Sequence, residues 1–193
     1  MEWTIPIQSF DPTKVRISTI TRGHKPMSAM SYVDGELNFS SLSILLPHLT
    51  IKGYESDTGK LTLSLQGHQS VSSKLSALQS LMLNTTQSNY SSWFPGERER
   101  GYEELVAMFQ PLVSHGSLHL YCPVSNTNSF NDIHMYSGQG GWTRGTSLST
   151  FTVGKSVRLA VRLQGISFHQ HPISKTWTGK SRVQHRILAM YVD

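Results

Sequence analysis

At 193 residues with one cysteine, Cys122, the chain has no internal disulfide, and at this length it needs none: it can bury about 70% of the surface its unfolded form exposes. Charged residues make up only 15% of it, against a typical ~25%, so Ser, Thr, Gln, Asn and His must supply most of the polar surface. The net charge of +5 is regional: residues 1–132 hold nine basic and eleven acidic residues, whereas Ile133 to Val192 hold eight basic residues and no acid.

No run approaches the ~18 apolar residues of a membrane-spanning helix. The opening Met-Glu-Trp-Thr-Ile-Pro-Ile places an acid where a secretory leader wants a base, and no apolar core follows. The expectation is an intracellular protein, nuclear or cytoplasmic, neither secreted nor bound to a membrane. Glycosylation sequons at Asn38, Asn84 and Asn89 are then chance matches in a chain with 44 Ser and Thr.

In chain order, strand patterns fall at Thr4 to Phe10, Lys14 to Thr21, Leu46 to Tyr54 and Lys60 to Gln66. In the last of these, Leu61, Leu63 and Leu65 share one face at period two. The turn Asp57-Thr-Gly-Lys60 separates the third from the fourth. Two helical patterns follow. Val71, Leu75, Leu78 and Leu81/Met82 recur at three- and four-residue spacing, with Ser72 or Ser73 as the expected cap. Tyr102, Leu105, Val106 and Phe109 repeat the pattern, with Glu103 and Glu104 near the positive end of the helix dipole and Pro111 as the stop. The intervening stretch, Asn84 to Gly96, reads as a polar surface loop. Further strands are expected at Ser117 to Pro123, Asp132 to Tyr136, about Ser156 to His169 and about Arg182 to Val192. Cys122, on an apolar stretch, reads as a small core residue rather than a nucleophile.

Strands, two helices, then strands again predict a mostly β, α+β single domain over 1–193, with a basic C-terminal hairpin region at 155–193. The plan matches an antiparallel barrel of the oligonucleotide-binding (OB-fold) kind with two helices inserted mid-chain. A jelly-roll sandwich is the alternative.

The basic segment carries the functional expectation. On the first C-terminal strand, Arg158, Arg162 and Gln164 lie opposite the apolar set Val157, Leu159, Val161 and Leu163. On the second, Arg182, Gln184 and Arg186 fall on one face at period two. If the strands pair, the four arginines share a surface. Arginine binds phosphate bidentately and stacks on bases, which suits a nucleic-acid backbone. Lys175, Trp177 and Lys180 in the connecting loop, and Trp142 with Arg144 in Gly138 to Gly145, each join an aromatic to a base, as single-strand binders do. The plainer reading is that such arginines are solvated and keep sheet edges from aggregating. Lys14 and Arg16 are candidates to extend the face.

Catalytic motifs fail. Gly-Lys-Ser at 154–156 and 179–181 lacks the glycine five residues earlier that a phosphate loop needs, since Ser149 and Ser174 stand there, and strands rather than helices follow. His169 and His171 alone do not make a metal site. The acid-free third has no carboxylates to hold Mg²⁺.

The expectation is therefore a non-catalytic protein, without cofactor or metal, that binds single-stranded nucleic acid. DNA is favoured over RNA, and the role is coating or protecting strands in replication or repair. The composition also suits viral proteins, and a capsid or other assembly subunit is the competing class. A homo-oligomer stays open.

Overall fold

The computed structural model describes residues 3–125, 129–138 and 140–192. Readings that rest on Met1, Glu2, Gln139 and Asp193 lie outside the described residues. In chain order the elements are β1 (Ile5–Pro6), β2 (Val15–Thr21), β3 (Met27–Asp34), β4 (Leu37–Phe39), β5 (Leu42–Glu55) and β6 (Lys60–Ser64). Next come α1 (Gln69–Ser88), α2 (Tyr90–Trp93), α3 (Tyr102–Met108), β7 (Phe109–Gln110), β8 (Val113–Ser114) and β9 (Ser117–Tyr121). The chain ends with β10 (Ser129–Ser137), β11 (Gly141–Ser147), β12 (Ser156–Gln170) and β13 (Trp177–Val192).

The mostly β expectation holds, with 51% strand and 20% helix. The strands link into one mixed sheet of thirteen, whose main path runs β11-β10-β13-β12-β5-β6-β9-β8. Its ends do not meet, so the closed barrel is not seen. Nor do the strands divide into two antiparallel sheets, as a jelly roll requires. Three pairs are parallel: β1 with β5, β10 with β13 and β7 with β13.

Alternation builds the centre of this sheet. Val157, Leu159, Val161 and Leu163 on β12 and Leu61 and Leu63 on β6 are all buried, as period two demands. β12 is 15 residues long and β13 16, and they pair along almost their whole length. Three irregularities break their register, two of them single-residue bulges and the third near the tip, between the Phe168–Ser181 and Gln170–Trp177 pairs. Leu188 is the extra residue between the Ala160–Ala189 and Val161–Ile187 pairs, and Gln164 is the extra residue between Leu163–His185 and Gly165–Gln184. Bulges bend a strand and raise its twist, which lets so long a hairpin curl.

β12 changes partner along its other edge. It pairs with β5 from Ser156 to Leu163 and with β3 from Gly165 to Ser167. Gly165, at φ +153°, stands at the junction, where a Cβ would fall 2.0 Å from the Ser28 carbonyl oxygen. Only glycine lets the β3 backbone come this close.

The curl also brings β9 over the inner side of β13. The Tyr121 backbone N–H donates to His185 Nε2 (2.8 Å), and His185 Nδ1 is 3.0 Å from the Val183 carbonyl oxygen. Both contacts are satisfied when the ring is neutral with its proton on Nδ1, which then donates to Val183. Desolvation, the larger cause, and the Arg182 charge hold this imidazole below the ordinary histidine value.

The helices pack on one continuous core. α1 buries Val71, Leu75, Leu78 and Met82, the predicted stripe. It starts earlier than expected, at Gln69, so Ser72 and Ser73 lie inside the helix instead of capping it. α3 has Glu103 and Glu104 in its first turn as expected, and ends at Met108, short of Pro111. The segment from Asn84 to Gly96 is not a surface loop. α1 runs on to Ser88, α2 follows, and Tyr90, Trp93 and Phe94 are buried. Aromatic content outweighed polar composition there. Among the described residues, no helix is long and apolar enough to cross a membrane.

Candidate nucleic-acid interface

The antiparallel β12–β13 pairing that the basic face requires is present. Its register sets Arg162 opposite Arg186, Arg158 opposite Tyr191, Gln184 opposite Gly165 and Arg182 opposite Ser167. Alternation around the two bulges puts Arg158, Arg162, Arg182 and Arg186 on one side of the sheet, away from Leu159, Val161, Val183 and Ile187 in the core. Arg158 Nε donates to the Leu46 carbonyl oxygen (3.1 Å), a neutral acceptor. Arg186 lies 3.3 Å from Asp132, the last acid before the acid-free segment. Both side chains are about half exposed or more, and such a pair is worth roughly 0–1 kcal/mol, so a phosphate can replace the carboxylate. Arg144, Arg158, Lys175, Lys180 and Arg182 meet no carboxylate among the described residues.

Trp142 is 56% exposed. The glycine-rich stretch Gly138 to Gly145 is not simply a loop: most of it forms β11, paired antiparallel with β10. Register then lays one continuous row across five strands. Trp142 on β11 faces Tyr136 on β10, Tyr136 faces Tyr191 on β13, Tyr191 faces Arg158 on β12, and Arg158 faces His48 on β5. The three aromatic rings touch: centroids are 5.3 Å apart for Tyr136–Trp142, 5.3 Å for Trp142–Tyr191 and 6.1 Å for Tyr136–Tyr191. In the adjoining row Arg144 faces His134, which faces Ala189, which faces Ala160. Beyond it lies the Arg162–Arg186 pair. Aromatic faces, a small-residue strip and a double arginine therefore succeed one another down the outer surface.

Trp177 is a correction. It was expected at an exposed loop tip as a base-stacking element, but it is the first residue of β13 and only 4% exposed. Its ring stacks on Phe94 (4.1 Å, 20°) and meets Phe168 edge-on (5.5 Å, 90°). Nε1 donates to the Lys180 carbonyl oxygen (2.9 Å), the backbone N–H donates to Glu97 Oε1 (3.1 Å), and the Arg100 guanidinium covers the ring at 5.3 Å. An indole this enclosed anchors the hairpin tip to the α2 region, and no base can reach its face. Lys175 and Lys180, its flanking bases, are exposed and stand with Arg182 along a cleft at that end.

Lys14 and Arg16 do not extend the face. Lys14 Nζ pairs with Asp34 (2.6 Å), and Arg16 donates to the Thr13 and Val15 carbonyl oxygens of its own segment. Burial pushes the Cys122 thiol up to about 12, so it stays protonated and is a poor nucleophile. The first Gly-Lys-Ser leads into β12 and the second lies within β13; neither opens a helix. Among the described residues, no group of three or more His, Cys, Asp or Glu is arranged to hold a metal ion.

Compared with known proteins, the chain matches no family model, no curated relative and no solved structure.

Proposed function

We propose that the protein binds single-stranded nucleic acid, DNA in preference to RNA, along the outer face of the β10–β11–β12–β13–β5 region, and does so without cleaving it. The observation that carries this reading is the cross-sheet row Trp142–Tyr136–Tyr191–Arg158–His48. Exposed rings offer stacking to unpaired bases of any sequence, and the arginines beside them take the backbone. A duplex hides its base faces, so it gains only the phosphate contacts. Among the described residues, no helix is both basic and amphipathic enough to read a major groove; the first turn of α3 is acidic. The biological role that goes with this chemistry is coating or protecting strands in replication or repair, inside the cell, in a virus or its host.

The test is equilibrium binding of a fluorescent single strand of about 30 nucleotides across a salt series. Each neutralised phosphate contributes about −0.7 to the slope of log affinity against log salt. Five arginines on the face (Arg144, Arg158, Arg162, Arg182 and Arg186) predict a slope near −3.5 if each meets one phosphate. A duplex of equal length binds more weakly. Absence of binding at 50 mM salt removes the reading.

A further inference from the structure

The end of the hairpin face farthest from the aromatic row holds a cleft of about 580 Å³, within the roughly 300–1,000 Å³ of small-ligand pockets. Four cationic side chains line it: Lys25 from the turn before β3, Lys175 from the hairpin loop, and Lys180 and Arg182 from β13. Among the described residues, no carboxylate lines it. Lys25 Nζ donates to Gln184 Oε1 (2.6 Å), a neutral acceptor, so that charge too has no acid beside it. Desolvation, with a smaller part from the Arg182 charge, holds the Lys25 ammonium below the ordinary lysine value. Gathering like charges in a partly dry recess costs free energy that an anion would return. Pro26, Met108, Phe168 and Pro172 give the cleft apolar wall, alongside polar groups that include His24, His169 and His171.

A phosphate alone uses the cations and leaves those walls wet. An apolar ring alone uses the walls and leaves the charges unpaired. A nucleotide carries both chemistries on one short molecule. We propose that this cleft is a nucleotide-sized subsite, taking the phosphate of one nucleotide on Lys25, Lys175, Lys180 and Arg182 and its base against Pro26, Met108 and Pro172. The proposal rests on the single-strand reading above, and makes the cleft the point where a bound strand is held at the tip end of the face. Tyr191 lies nine residue steps along β13 from Arg182, at most about 30 Å of strand, so one oligonucleotide can reach both.

The experiment titrates the full chain with thymidine 5′-monophosphate, thymidine and inorganic phosphate, read by amide NMR shifts, alongside binding of the 30-nucleotide strand. The monophosphate is expected to shift signals at residues 24–25, 167–171 and 180–182, and to bind roughly tenfold or more tightly than thymidine or phosphate. The triple variant Lys175→Gln, Lys180→Gln, Arg182→Gln changes exposed side chains only and should keep its dispersed spectrum. It is expected to lose monophosphate binding and to lower the salt slope for the 30-nucleotide strand by about 0.7, the share of the one phosphate held in the cleft. The single variant Lys180→Gln should show the same losses in smaller measure. Phosphate binding as tightly as the nucleotide overturns the proposal, as do shifts confined to the Trp142 region or an unchanged triple variant. If the long strand binds but the monophosphate leaves the cleft signals unmoved, the subsite falls and the interface stands. If the monophosphate fills the cleft but no strand binds, the interface falls, and with it the claim that the cleft holds part of a strand.

Discussion

The two ends of the β12–β13 hairpin each bring a tryptophan next to bases, and the structure uses them in opposite ways. At one end Trp142 lies open beside Tyr136 and Tyr191, 56% exposed on a short outer strand. At the other, Trp177 is sealed by Phe94, Phe168, Tyr90 and Arg100. What differs is what the chain supplies opposite each ring. Trp177 meets a segment dense in aromatics, Tyr90 to Phe94, and is drawn into the core. Trp142 meets only strands whose other faces are already committed to the core, and stays on the surface. The same residue type thus anchors the fold at one end and is offered to a ligand at the other.

Replacing each tryptophan breaks this comparison most sharply. Trp177→Ala removes a buried ring and its Nε1 hydrogen bond to the Lys180 carbonyl oxygen, and large aromatic-to-alanine changes in cores cost about 3–5 kcal/mol. Chemical denaturation should show a loss of that order; a loss under about 1 kcal/mol would mean the aromatic box does not anchor the hairpin. Trp142→Ala is expected to leave stability within about 1 kcal/mol of wild type, since little of the ring is enclosed. Its effect belongs to binding: one lost stacking platform costs roughly 1–3 kcal/mol, or about 5- to 150-fold in affinity for the 30-nucleotide strand. Unchanged affinity would take the aromatic row out of the interface.

The sequence makes some of this plain and hides the rest for identifiable reasons. Period-two runs are visible wherever one face is buried, so β6, β12 and the outer part of β13 can be read directly, and the acid-free segment predicts the shared arginine face. The row beyond it is hidden by the bulge at Leu188. Counting by twos from Arg182 through Arg186 leads to Leu188 and Met190, whereas the bulge shifts the outer face to Ala189 and Tyr191. Tyr136 and Trp142 were within reach. They flank a glycine-rich turn symmetrically, and reading that run as a hairpin instead of a loop sets them face to face. Strand β3 carries serine and alanine between its apolar residues, too weak an alternation to stand out, so Lys25 and its place at the cleft had no sequence signal. Asp132 shows the limit of a charge count along the chain: it borders the acid-free third in sequence and pairs with Arg186 in space.

The smallest expected effect concerns what supports both ends equally. His185 sits beneath the arginine face, on the core side of β13, and joins it to β9 through the Tyr121 N–H. Its folded value lies below the ordinary histidine value of about 6.5, so the unfolded chain takes up a proton more readily than the folded one. Stability from this group is therefore full above pH ~6.5 and is lost as pH falls through the unfolded value toward the folded one. His119, also held low by burial and then by Lys60, acts with the same sign. Denaturation between pH 8 and pH 5 should show the wild type weakening on the acid side. His185→Gln should start about 1 kcal/mol or more lower at pH 8, because the Tyr121 N–H loses its placed acceptor, and should then fall less steeply. His119 remains in that variant, so its acid limb flattens without vanishing. Equal slopes in the two proteins would mean that the imidazole takes up its proton as easily folded as unfolded, and that the link between β9 and β13 does not depend on a neutral ring.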